Sequence, residues 1–105
     1  MVSHNHVSLT GTVAKFPLRH YRPDGSSVLQ FPLEFNGMED APMEEPKSRV
    51  DIVAPGKLAE SEPGLFQCGQ RVRVEGRLQQ RRWRTPEGRD FSRLEVIATS
   101  LQKAE

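Results

Sequence analysis

Apolar residues in this chain recur mostly at every second position, in short runs broken by glycine and proline. That period is the mark of strands with one face buried. Val7, Leu9, Thr10, Thr12 and Val13 predict a first strand with Gly11 in its middle. An internal glycine weakens a strand, and its usual meaning is a bulge or a tight bend. Phe16-Pro17-Leu18 ends or bends that strand, and residues 20–25, HYRPDG, read as a turn. Leu29, Phe31, Leu33 and Phe35 alternate with Gln30, Pro32 and Glu34 in a second strand. Pro32 cannot donate to a ladder, so it is expected at an edge or a bulge. A short third strand runs from Arg49 to Ala54 on Val50, Ile52 and Val53, and Pro55-Gly56 stops it. Lys57 to Glu62 fits a helical turn, and Leu65 and Phe66 are expected to plug the core. Residues 36–46, acidic, aperiodic and with two prolines, read as a mobile loop.

The C-terminal third is the most regular part. Val72, Val74 and Leu78 alternate with Arg71, Arg73, Glu75 and Arg77, and Gly76 interrupts this fourth strand as Gly11 interrupts the first. Phe91, Leu94, Val96, Ile97 and Leu101 give a return strand. Between them residues 85–88, TPEG, carry turn chemistry, and a basic loop holds the only tryptophan. Five strands, almost no helix and glycine bends in two long strands describe a small closed barrel. The expected class is all-β, a five-stranded OB-fold barrel with long loops and little helix. A β-sandwich normally needs about seven strands, more than this chain supplies.

Composition bounds this picture without changing it. The 105 residues, 35% of them hydrophobic and 28% charged, suit a single globular domain spanning residues 1–105. No run approaches the roughly 18 apolar residues of a membrane span, and MVSHNH has no apolar stretch of the kind a signal peptide needs. One cysteine, Cys68, permits no internal disulfide and fits a reducing cytoplasm; a small, half-buried thiol is expected there. His4, His6, His20 and Cys68 lack zinc-ligand spacing, with His4-Asn5-His6 expected to fray, so no metal or cofactor is predicted. No nucleophile motif, phosphate loop or paired carboxylates suggest an enzyme.

Charge becomes informative once it is divided along the chain. The net charge is only +1, yet residues 71–93 hold eight Arg against Glu75, Glu87 and Asp90. Residues 36–62 hold seven acids against Lys47, Arg49 and Lys57. Such asymmetry suits a polyanion-binding face with acidic chain kept elsewhere, although a solvated surface also accounts for it. At the hairpin tip stand Arg81, Arg82, Trp83, Arg84 and Arg89. Single strands expose phosphates and unstacked bases, so their binders combine a basic groove with aromatic platforms. Trp83 between Arg82 and Arg84 supplies both, or else it folds back as a lid on the barrel mouth. Tyr21, beside His20 and Arg22, is either a stacking residue or a structural turn tyrosine. Phe31 belongs to the core, and Phe35 is open between core and surface.

VSLTGTVAKFPLRHYRPDG followed by LQFPLEF resembles the first hairpin of the bacterial single-stranded DNA-binding protein superfamily. CGQRVRVEGRLQQRRWRTPEGR resembles its fourth strand and the loop that follows. The likeness covers nearly the whole chain. Within the superfamily it is most similar to the primosomal replication protein N (PriB) branch, through VSLTGTVAKFPLR, DIVAPGKL after the acidic stretch, and an end at Glu105. The resemblance implies an OB-fold homodimer that binds single-stranded DNA in replication restart, with a primosome helicase and a helicase-loading protein as partners. It assigns DNA contacts to Arg82 and Arg84, with Arg81, Trp83 and Arg89 in the same loop. His20, Tyr21 and Arg22, and Lys47 with Arg49, match two further contact regions. The family often has an aromatic near the start of the third strand; this chain departs from that with Lys47-Ser48-Arg49. An ordinary single-stranded DNA-binding protein, or an OB-fold adaptor whose main ligand is protein, are the alternatives.

Overall fold

The computed structural model describes residues 3–36, 47–61 and 67–104, with backbone alone for residues 59–61. Among them six strands follow in order: β1 Val7–Val13, β2 Leu18–Tyr21, β3 Ser27–Phe35, β4 Ser48–Pro55, β5 Arg71–Arg84 and β6 Asp90–Lys103. One short helix, α1 Gly56–Ser61, lies between β4 and β5. The strands pair in the order β1-β5-β6-β4-β3-β2, and β1 also pairs with β3. Five strands therefore close into a ring, the OB-type barrel expected, and β2 stands outside it as the hairpin partner of β3. Only β4 and β6 run parallel.

The alternation seen along the sequence becomes an inside and an outside. Val13, Phe31, Leu33, Ile52, Ala54, Val72, Val74, Val96, Ala98 and Leu101 form the buried core, each large aliphatic or aromatic side chain contributing about 1.5–3 kcal/mol by leaving water. Phe31 is wholly buried, and Phe35 packs against the core from its margin. Leu65 and Phe66, expected in the core, fall outside the described residues, as does the acidic stretch 37–46.

Two glycines permit the closure. Gly11 lies where β1 passes from β5 to β3: Thr12 is paired with Arg71 on one side and with Glu34 on the other. A Cβ on Gly11 would run into the Glu34 carbonyl oxygen. Gly76 sits at the one register shift between β5 and β6, where Glu75 opposes Ser100 but Gly76 opposes Ala98. The extra residue, Thr99, turns its hydroxyl to the Glu75 carbonyl at 3.2 Å. A Cβ on Gly76 would collide with the Ile97 carbonyl. Both interruptions read from the sequence are thus close backbone approaches, and the second is a bulge.

Pro32 follows the same logic. Its carbonyl accepts from Ala14 N–H at 3.0 Å, on the β1 side of β3. Its nitrogen faces that side too, in the gap between the β2 ladder, which ends at Gln30, and the β1 ladder, which begins at Leu33. The missing N–H costs no ladder bond there.

Several expected boundaries shift. Residues 20 and 21 belong to β2, not to the turn, because Leu18 to Tyr21 pair with Gln30 to Ser27. The turn contracts to residues 22–25, with Gly25 at φ 89° and Gly25 N–H donating to Arg22 O at 2.9 Å. Asp24 Oδ1 accepts from Ser26 Oγ (2.6 Å) and Ser26 N–H (2.9 Å), which together hold its carboxyl below the ordinary value. Residues 81–84, expected as a basic loop, continue β5, since Trp83 pairs with Phe91 and Arg84 with Asp90. Only residues 85–89 form the loop, closed by Gly88 N–H on Thr85 O. Cys68, expected half-buried, is exposed in a turn, its thiol 3.5 Å from Ala14 O. Asn5, placed by sequence in a frayed terminus, instead clamps β5: its carboxamide accepts from Leu78 N–H and donates to Leu78 O, both at 2.8 Å.

Gly76→Ala is expected to lower unfolding stability by about 1–3 kcal/mol, the cost of overpacking a close contact. Gln80→Ala, a few residues along the same strand and exposed, should change it by no more than about 0.5 kcal/mol. Urea unfolding of both variants checks this.

Candidate nucleic-acid interface

Because core and outer residues alternate, the positions between the core residues of β3, β4, β6 and β5 share one outer face. Pro32 opposes Asp51, Gln30 opposes Val53, Asp51 opposes Glu95 and Gln79 opposes Glu95. That face floors an open groove of about 1090 Å³. One wall is built by the chain between β1 and β2 together with β2 and its turn: Lys15, Phe16, Leu18, His20 and Arg22. The other wall is the base of the β5–β6 arm, with Arg81 and Arg93. Arg49 stands at the end of the floor.

Of the residues that sequence singled out, the groove gathers His20, Arg22, Arg49 and Arg81. Lys47 lies beside it, its Nζ 3.8 Å from Glu34 Oε1 while Arg49 Nη2 holds Glu34 Oε2 at 2.9 Å. Tyr21 does not line the groove and is largely exposed. Arg82 and Arg84 have the opposite parity from Arg81 and Trp83, so they occupy the reverse face of the arm. There Arg82 Nη2 donates to Gln80 Oε1 at 2.9 Å, and Arg84 Nε to Asp90 Oδ1 at 2.8 Å. Arg89 sits in the tip loop, its N–H bound to Thr85 Oγ1. What sequence read as one cluster is therefore split by the strand into two faces.

Trp83 neither lies bare nor caps the barrel. It stands on the arm with its ring 5.8 Å from that of Phe91, its cross-strand partner, at 18° between planes. Arg81 places its guanidinium 5.0 Å from the indole centroid, and Arg93 at 6.0 Å. Arg81 and Arg93 are themselves directly opposed across the ladder. Two like charges in that position repel, and two carboxylates on the groove floor offset them. Asp51 Oδ2 lies 3.2 Å from Arg93 Nη1, and Glu95 Oε2 lies 3.7 Å from Arg81 Nε. Glu95 is only 3% exposed. Side chains thus run in a row from Phe91 and Trp83 through two arginines to two acids, an array fit to meet flat rings and anions.

Sequence reasoning missed Lys15, Phe16, Phe91, Arg93, Asp51 and Glu95. The last four were within reach of it. Once β6 is paired with β5, period 2 puts Phe91, Arg93 and Glu95 on the face of Trp83 and Arg81. Lys15 and Phe16 occupy an irregular link, and no periodicity marks them.

The family model described as the single-strand binding protein family matches residues 4–104. A single-stranded DNA-binding protein of Aquifex aeolicus is 34% identical over 101 residues, which cover 93% of this chain and 68% of that protein. Among solved structures the chain is similar to a Plasmodium falciparum SSB in complex with ssDNA, with a TM-score of 0.80, 23% identity and 100% and 98% of the two chains covered. It is also similar to the dimeric N-terminal domain of PriB protein from Thermoanaerobacter tencongensis, with a TM-score of 0.72, 23% identity and 96% and 97% covered. At that identity the structural likenesses speak to the fold.

Arg81→Ala leaves a buried carboxylate without its cation, so it should destabilise the protein more than Arg81→Ala does when combined with Glu95→Gln. A double-mutant cycle by urea unfolding is expected to give a coupling of about 0.5–3 kcal/mol; a coupling near zero would show that Glu95 does not hold Arg81.

Proposed function

The chain belongs to the single-strand binding protein family, and from that premise we propose that it binds single-stranded DNA in the groove on the barrel's outer face. It acts there as a primosome accessory in replication restart. The observation that carries the reading is the groove itself: an open channel whose cations come from both walls, with exposed aromatic rings beside them. Phosphates would follow Lys15, Arg22, Arg49 and the arm arginines, and bases would meet the rings. Arg82, Arg84 and Arg89 extend the positive charge over the arm's reverse face and tip, where a strand leaving the groove would meet them. Trp83, already stacked on Phe91, offers an end-on platform. His20 and Lys47 lie along the path, and Tyr21 beside it. The role is binding, not catalysis, and its setting is the cytoplasm.

The PriB-like reading adds a symmetric homodimer and protein partners, namely a primosome helicase and a helicase-loading protein. Support for pairing comes from β1: residues 7–11 are bridged to β5 on one side, and the β3 bridges begin only at Thr12. A strand edge that no described residue bridges is a natural seat for a second copy. The second reading, an ordinary single-stranded DNA-binding protein, is favoured by the 34% identity to the Aquifex aeolicus protein. A solution mass of two 11.9 kDa chains supports the first reading, and one of four chains the second.

Oligo-dT binding measured over a range of salt tests the groove. For single strands log K falls with log salt by about 0.7 per phosphate neutralised. Arg22→Ala with Arg49→Ala should weaken binding and flatten that slope by roughly 1–1.5, one phosphate each. Arg82→Ala with Arg84→Ala should flatten it by a similar amount with a smaller loss of affinity, because these two stand on the arm's reverse face and meet only a strand that has left the groove. If the groove pair binds like the parent while the arm pair loses binding, the strand does not lie in the groove.

A further inference from the structure

Four aromatic rings are exposed on the described surface: Phe16 and Tyr21 at 76%, Phe91 at 44% and Trp83 at 39%. Trp83 and Phe91 are spent largely on each other, and Tyr21 points away from the groove wall. Only Phe16 lines the groove with nothing stacked on it among the described residues. A single exposed apolar residue is ordinary on a protein surface and by itself means nothing. Three further observations give this one a meaning.

First, its backbone is held. Ala14 N–H is bonded to Pro32 O at 3.0 Å on one side, and Leu18 is paired with Gln30 in β2 on the other. Pro17 restricts Phe16 itself to extended conformations. The link is therefore held, and the ring that it carries stands exposed. Second, cations stand around it. Lys15 precedes it and Arg22 shares its wall, with Arg81 across the groove. Third, the floor beneath is poor in flat surface. It includes Gln30, Pro32, Asp51, Val53, Gln79 and Glu95, with both carboxylates already held by arginines. Phe31 also lines the groove but is wholly buried, so among the described residues a strand held there by its phosphates would find no exposed aromatic ring in the groove other than Phe16.

We propose that Phe16 is a base-stacking platform of the groove, set on the wall opposite the Trp83–Phe91 arm. The proposal rests on the reading of the groove as a single-stranded DNA site. It adds a residue that lies in no regular strand and carries no charge. Two aromatic platforms on opposite walls also imply selectivity: a base must be unstacked from its neighbours to reach either, so duplex DNA gains nothing from Phe16.

The test uses oligo-dT with the full chain. Phe16→Ala should weaken binding by about 5- to 150-fold, the effect of losing one stacked base, and leave the salt slope unchanged. Phe16→Leu keeps an apolar side chain but no ring face, and should lose most of the same affinity. Phe16→Trp combined with Trp83→Phe makes position 16 the only indole, whose fluorescence should be quenched as oligo-dT binds. Parent-like binding by Phe16→Ala, or an unquenched indole while anisotropy shows the oligonucleotide bound, overturns the proposal alone. So does a changed solution mass with unchanged DNA binding, which would make Phe16 a contact between copies. Failure of the parent itself to bind oligo-dT overturns the groove reading and this proposal with it.

Discussion

Closing five strands into a ring requires backbones to pass each other more closely than side chains allow. Gly11 and Gly76 are where that happens, against the carbonyls of Glu34 and Ile97. Everything else in the molecule follows from the closure. Once β1 meets both β5 and β3, alternate residues of the five ring strands are committed to the inside where they line the barrel, and their neighbours to the outside. The bulge at Gly76 bends β5 and β6 together. Beyond it the two strands outrun the barrel and form the arm that carries Trp83 and its arginines.

The outer face is governed by a balance between attraction and order. Directly opposed arginines over one indole would repel each other and wander. Asp51 and Glu95 fix them at a cost, since each carboxylate also opposes an approaching phosphate. Arg81 and Arg93 remain about half exposed on their side chains, so pairing does not remove them from solvent. Ion pairs so placed contribute little to stability when they are exposed; their effect here is to hold guanidinium planes in place beside a ring. Where Glu95 is concerned the buried end of the pair makes the arrangement harder to undo.

Much of this was legible in the sequence. The core came directly from period 2, since Val72, Val74, Phe31, Leu33 and Ile52 could face only one way. Gly11, Gly76 and Pro32 announced bends and gaps because each lacks something a regular strand requires. The basic tip was visible as composition but not as geometry. Arg81 to Arg84 looked like one cluster in a loop, and the zipper of Trp83 on Phe91 and Arg84 on Asp90 made them strand, which separates neighbours by parity. The face of Glu95 follows from the same parity, but its burial was not legible, because burial of a charge depends on a partner that only folding supplies. Phe16 was invisible for another reason: irregular links have no period, so exposure there is decided by the paths of the flanking strands. Asn5 was read as frayed because a side chain standing in for a strand partner has no sequence signature.

The central claim is that single-stranded DNA lies on the outer face formed by β3, β4, β5 and β6, between the β2 wall and the arm. Backbone amide chemical shifts of the labelled protein, followed by NMR during titration with a short oligo-dT, test it most directly. The account predicts shifts concentrated at Gln30, Asp51, Val53, Arg81 and Ile97, with Ser8 and Thr10 on β1 unmoved. Shifts confined to β1, or to the reverse face of the arm at Gln80, Arg82 and Ser92, would contradict it.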